Sequence, residues 1–175
     1  MTESDPEGRL EWIRESLDAY EGPLLRYATR ILGDLESARD IVQDVFLRLC
    51  SADRASLDGR LGPWLFAVCR NRALDVCRKE NRMSPLTQEE IEVRPTEEPN
   101  PRQNLERAQT ARSALKFLAE LPARQQEVVR LKFQEGMSYR EIGRVTGNSV
   151  SNVGFLLHRA LKTLRGRLQG SASEA

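Results

Sequence analysis

The sequence predicts an all-α fold: two small helical domains joined by a flexible linker, the second containing a helix-turn-helix. Three observations predict it. Apolar residues recur at three- and four-residue spacing through most of the chain. Charged residues reach 30% and aromatics only 6%, the balance of helices with solvated outer faces. One stretch, 83–104, loses that periodicity and places Pro85, Pro95, Pro99 and Pro101 among Glu89, Glu90, Glu92, Glu97 and Glu98. The 175 residues suffice for two modest cores. The expected boundaries are 10–82, 83–104 and 105–169, and a linker of about 20 residues spans roughly 65 to 70 Å when extended.

A first helix is expected to end at Leu32, with Pro23 in its first turn or at a kink and Gly33 as the residue that turns the chain. Asp34 then caps a second helix to Leu49, whose apolar stripe is Ala38, Ile41, Val42, Val45, Phe46 and Leu49. Its opposite face carries Asp40, Gln43, Asp44, Leu47 and Arg48, a leucine rimmed by carboxylates, which suits either solvent or docking to a basic partner helix.

The polar, glycine-containing stretch 51–62 reads as a loop, and Pro63 fits the first turn of a third helix to Arg82. Leu65, Val68, Cys69, Ala73 and Val76 form its apolar stripe. Its polar face follows Asn71, Asp75, Arg78 and Arg82, with Arg72 and Lys79 alongside. That face suits phosphates and unpaired bases. Trp64 and Phe66 could stack on nucleotides, although a core position fits Trp64 better.

Beyond the linker, Leu105 to Leu121 reads as a helix stopped by Pro122. Pro122 to Phe133 reads as another, with Val128, Val129, Leu131 and Phe133 on its apolar side and Gly136 ending it. Ser138 caps a short helix containing Tyr139, Ile142 and Val145. Gly147 turns the chain, and Ser149 caps a last helix to Leu168. Short helix, glycine turn and longer helix make the helix-turn-helix pattern.

The near-neutral total charge hides an asymmetry. Residues 104–175 hold 12 Lys and Arg against 6 Asp and Glu, 1–82 hold 13 against 15, and 83–103 hold 2 against 5. The C-terminal part therefore carries the polyanion-binding balance. A second basic patch runs from Arg60 through Arg70, Arg72, Arg78, Lys79 and Arg82, against Asp75 and Glu80.

Cys50, Cys69 and Cys77 lack framework spacing and suit a reducing compartment. On one helix Cys69 and Cys77 stand about 12 Å apart, too far for a disulfide. The single histidine, His158, is remote from them, so no metal site is expected. No acid–base pair, activated nucleophile or phosphate-cradling glycine loop is visible, and neither enzymatic activity nor a cofactor is expected. The acidic first eight residues and the lack of a long apolar run point to a soluble, cytoplasmic chain with no membrane insertion.

Three runs carry a resemblance. Asp40-Ile41-Val42-Gln43-Asp44-Val45-Phe46-Leu47-Arg48-Leu49 resembles the polymerase-binding helix of bacterial extracytoplasmic-function (ECF) sigma factors, a subfamily of the sigma-70 family. Pro63-Trp64-Leu65-Phe66, continuing through Cys69-Arg70-Asn71-Arg72-Ala73-Leu74-Asp75, is similar to that family's promoter-melting helix. Leu121-Pro122-Ala123-Arg124-Gln125-Gln126-Glu127, then Gly136-Met137-Ser138-Tyr139-Arg140-Glu141-Ile142, then Leu157-His158-Arg159-Ala160, resemble its DNA-reading module.

The resemblance implies a transcription initiation factor. Asp40, Gln43, Asp44, Leu47 and Arg48 would dock on the beta-prime clamp of core RNA polymerase, with the beta flap as a further contact. The stretch from Asp53 to Leu61 would capture a flipped minus-ten base. Arg60, Trp64, Arg70, Asn71, Arg72, Arg78, Lys79 and Arg82 would hold the opened strand. Arg140, Arg144, Ser149, Ser151, Asn152, Phe155, His158, Arg159, Lys162 and Arg165 would meet the minus-35 element, and an anti-sigma factor would hold the protein inactive.

One departure stands out. Gly154, Phe155 and Leu156 occupy the middle of the recognition helix, where the family places polar or basic residues. Readout would then rest on the helix N-terminus and DNA shape. Phe155 or Leu156 would pack inside the module or against a regulator, or Phe155 would touch a thymine methyl. A stand-alone helix-turn-helix regulator, or a sigma-like decoy for an anti-sigma partner, are the competing readings.

Overall fold

The computed structural model describes residues 6–83 and 114–173, with backbone alone at 80–83 and 171–173. Among the described residues every regular element is a helix: α1 (Pro6–Leu32), α2 (Leu35–Ser51), α3 (Arg54–Leu57), α4 (Leu61–Met83), α5 (114–119), α6 (Ala123–Phe133), α7 (Tyr139–Thr146) and α8 (Val150–Ser173). The fold is all-α. The chain divides into two compact units, Met1–Thr96 and Glu97–Ala175. Apart from Met83, the linker expected at 83–104 lies outside the described residues, as does the first part of the helix expected from Leu105.

In the first unit α1, α2 and α4 pack against one another in all three pairings. All six residues of the α2 stripe are buried, as the 3.6-residue period requires. Gly33 takes the left-handed conformation (φ 74°) and donates to the Thr29 carbonyl. Asp34 caps α2 by accepting from the Glu36 and Ser37 amides.

Three readings are corrected here. The first helix begins at Pro6, where a missing N–H costs nothing, so Pro23 sits in the interior and not in the first turn, the other of its two expected places, a kink, being left open. The next turns, through Leu24, Tyr27 and Ala28, are buried, and that burial offsets the lost hydrogen bond. The early start is fixed from outside: the Arg9 guanidinium donates to the carbonyls of Cys50 and Ala52 at 2.6 and 3.0 Å, satisfying groups at the end of α2. Arg54 donates to the Gly8 carbonyl and lies 5.7 Å over the Trp12 ring.

The stretch 51–62 is not all loop, because Asp53 caps the single turn α3, which buries Leu57. Phe66 is no nucleotide platform: it is 1% exposed and meets Tyr27 edge-on with ring centroids 5.2 Å apart.

Cys69 is buried, which pushes its thiol up to about 12. Cys77 is buried too, Cys50 is exposed, and none of the three is in a disulfide.

In the second unit α6 and α7 pack on α8 and on each other. Gln126 of α6 donates to the carbonyls of Ala119 and Leu121, closing the chain at the end of α5. Arg167 of α8 pairs with Glu120 and lies 5.9 Å over Phe117. Val128, Val129 and Leu131 are buried as expected, but Phe133 is 62% exposed. It is the last residue of α6, one turn past the buried Val129. α8 continues past Leu168 to Ser173.

Candidate functional site

Burial of one stripe of α2 fixes what the other side presents. Asp40, Gln43, Leu47 and Arg48 are exposed, and Leu47 keeps 61% of its surface in water with polar groups around it. Asp44 differs from these. Both the Nε (2.6 Å) and an Nη of Arg72 on α4 converge on its Oδ2, and the Arg48 Nε stands 4.0 Å from the same oxygen. The helix expected to meet a partner and the helix expected to hold a nucleic-acid strand are thus joined by their own side chains.

The remaining residues of that second group are unequally exposed. Arg60 is exposed and donates to the Ser56 carbonyl. Trp64 is half-buried in the first turn of α4, neither in the core nor fully presented, and Arg70 is half-buried too. Asn71, Arg78 and Lys79 are exposed, with Arg78 paired to Asp75 one turn earlier. Arg82 belongs to α4, but its side chain lies outside the described residues. Asp53, Ser56, Asp58 and Arg60 form an exposed rim around α3, where Gly59 takes φ 65°.

The helix-turn-helix is built by local chemistry. Ser138 and Glu141 make a complete capping box at the start of α7, the hydroxyl accepting from the Glu141 amide and the carboxylate from the Ser138 amide. The Ser138 side chain, and next its amide, hydrogen-bond the charged carboxylate and hold the Glu141 carboxyl below its ordinary value, with Arg144 and Lys132 adding to the effect. Asp34 is lowered for the same reason at the start of α2.

Gly147 (φ 74°) turns the chain. Gly143 lets α7 meet the turn: a Cβ there would stand 2.7 Å from the Asn148 carbonyl oxygen. Across the turn Asn152 donates to the Asn148 side-chain oxygen, Asn148 donates to the Thr146 hydroxyl, and Thr146 donates to the Ile142 carbonyl. Ser149 caps α8, accepting from the Asn152 amide.

Two of the expected reading residues, Ser149 and Asn152, therefore already help to build the turn. Gly143 and Asn148, which sequence reasoning missed, are what hold it. A glycine midway along a short helix was the only signal available for Gly143.

On α8, Val153, Leu157 and Ala160 face the core, while Ser151, Phe155, His158, Arg159, Lys162 and Arg165 form one exposed stripe. Arg140 and Arg144 are exposed on α7. Leu156 is half-buried. Phe155 is 55% exposed, so it does not pack inside the unit, and the Arg159 guanidinium lies 5.5 Å from its ring centroid. Among the described residues no cluster of His, Cys, Asp and Glu could hold a metal ion. No described helix is long and apolar enough to cross a membrane.

Comparison with known proteins matches residues 17–83 to the family described as Sigma-70 region 2 and residues 111–164 to Sigma-70, region 4. The ECF RNA polymerase sigma factor SigE of Mycolicibacterium smegmatis is 30% identical over 166 residues, covering 94% of this chain and 63% of that protein. BldN of Streptomyces coelicolor, also an ECF RNA polymerase sigma factor, is 29% identical over 165 residues, covering 93% and 60%. The chain thus spans about six-tenths of the length of these two curated relatives. SigW of Bacillus subtilis is 24% identical over 174 residues, covering 93% and 91%.

Among solved structures, the sigma factor RpoE of Bartonella quintana, in complex with the anti-sigma factor NepR, shares the fold. Its TM-score is 0.64 at 22% identity, covering 89% of this chain and 96% of that one. CnrH in complex with the cytosolic domain of CnrY does so with a TM-score of 0.56 at 24% identity, covering 94% and 92%. With region 2 and region 4 matched in order on one chain and ECF sigma factors among its relatives, the chain belongs to the ECF sigma factors of the sigma-70 family.

Proposed function

We propose that this protein is a transcription initiation factor that binds core RNA polymerase and directs it to promoters with two elements at a set spacing. The observation that carries the reading is the outer face of α2, where Leu47 stands exposed beside Asp40, Gln43 and Asp44 on a helix whose other face is wholly buried. A cytoplasmic polymerase surface of basic helices would cover that leucine and match those carboxylates. The face would dock on the beta-prime clamp, with the beta flap as a second contact.

The rim around α3 would receive a flipped minus-ten base, and Arg60, Trp64, Arg70, Asn71, Arg78, Lys79 and Arg82 would hold the opened strand. The stripe on α8, with Arg140 and Arg144, would lie on the minus-35 element. Each patch is weak and salt-sensitive alone. Tethering both to one polymerase raises their effective concentration, so selection belongs to the assembly and all bond-making chemistry to the polymerase. RpoE and CnrH were each solved with a partner, an anti-sigma factor in the case of RpoE, and that supports a similar inhibitor for this chain.

The test is reconstitution: purified chain, core polymerase and promoter DNA, scored for strand opening by permanganate reactivity. Opening that requires both chain and polymerase is expected. Tight duplex binding without polymerase, and no opening with it, would favour a stand-alone regulator.

A further inference from the structure

We infer that Phe155 reads a thymine in the duplex that α8 enters, by packing against its 5-methyl group; the inference rests on the DNA-reading role just proposed for α8. Three observations carry it. Phe155 lies on the outer stripe between Ser151 and His158, away from the buried line of Val153, Leu157 and Ala160. Its own unit leaves it 55% exposed, although covering a phenyl ring is among the most favourable contacts a small domain can make. Its flanks on that stripe are cationic, with Arg159, Lys162 and Arg165 following it, which fits a polyanion.

A phenyl ring neither donates nor accepts a hydrogen bond. On the major-groove edges of the bases, the apolar feature it can recognise is the thymine methyl. Arg159, 5.5 Å from the ring centroid, is held at the ring and delivers its guanidinium to a phosphate or a neighbouring guanine. The aromatic ring is thus both the reader of one base and the support of the arginine next to it.

The experiment uses the polymerase holoenzyme with the full chain on its cognate promoter, each thymine of the minus-35 element being replaced in turn by deoxyuridine, which removes the methyl alone. One position is expected to bind about fourfold more weakly as deoxyuridine, the contribution of one buried methyl. Phe155→Ala is expected to bind the thymine and deoxyuridine promoters equally, and Phe155→Leu to restore part of the difference.

A wild-type holoenzyme indifferent to every replacement would overturn the inference. So would a Phe155→Ala holoenzyme with the wild-type ratio, which would turn Phe155 toward a protein partner. Failure of the underlying role is read separately, as a wild-type holoenzyme that does not distinguish the intact minus-35 element from a scrambled one.

Discussion

Asp44 and Arg72, on different helices, share one carboxylate oxygen: the Nε of Arg72 lies 2.6 Å from Oδ2 of Asp44, and an Nη bonds the same atom. Both side chains are about a third exposed, so water screens the pair and its worth is modest. A double-mutant cycle with Asp44→Asn and Arg72→Ala is expected to give a coupling of about 0.5 to 1 kcal/mol in urea denaturation. Strict additivity of the two variants would show that the pair contributes nothing to the packing of α2 on α4.

Gly143→Ala should be costly, since the added carbon would stand 2.7 Å from a backbone oxygen that cannot swing away. A loss of roughly 1 to 3 kcal/mol is expected, confined to the second unit. Hydrogen exchange checks this: amides of α6 to α8 should lose protection while those of α1, α2 and α4 keep theirs. Equal loss in both units would contradict the local origin of the strain.

The capping box gives the second unit a defined acid response. Glu141 titrates below its ordinary 4.5 because its charged form is hydrogen-bonded by the Ser138 side chain and by the Ser138 amide. A depressed carboxyl contributes stability that is present above the ordinary value and disappears as pH falls through the folded-state value. Wild type should therefore exceed Glu141→Ala in stability by a constant margin above about pH 5, narrowing as the pH drops below 4.5. Urea titrations at a series of pH values test this, and a margin that widens in acid would reverse the assignment.

The thiols should separate by reactivity. Cys50 is exposed, whereas burial pushes Cys69 up to about 12 and Cys77 is also buried. Iodoacetamide at pH 8 is expected to label Cys50 in the native protein and the other two only on unfolding, read by peptide mass spectrometry. Rapid native labelling of Cys69 would mean that α4 opens locally.

Much of this was legible in the residues because it is local. The period of α2 fixed its six buried positions, and Asp34, Gly33, Ser138 with Glu141, and Gly147 announced helix boundaries through bonds to neighbours a few residues away. Illegible features depend on what arrives from elsewhere. Arg9 and Arg54, which extend α1 back to Pro6, act across more than forty residues, and the Asp44–Arg72 bond spans 28. Phe66 and Phe133 were misplaced in opposite senses, since a stripe read along one helix does not reveal where the neighbouring helix begins and ends. Phe155 marks the same boundary: its apolar character left core packing, a regulator and a thymine methyl all open, and only the packing of Val153, Leu157 and Ala160 shows it facing out.

Binding of core RNA polymerase to the Leu47→Glu chain tests the central claim most directly. The side chain is 61% exposed and its loss leaves the buried stripe of α2 intact, so the variant should unfold at the wild-type urea concentration. Measured by fluorescence anisotropy with labelled chain, its affinity should fall about tenfold or more, as for a central apolar contact replaced by a charge. A folded Leu47→Glu chain that binds polymerase as tightly as wild type would contradict the account.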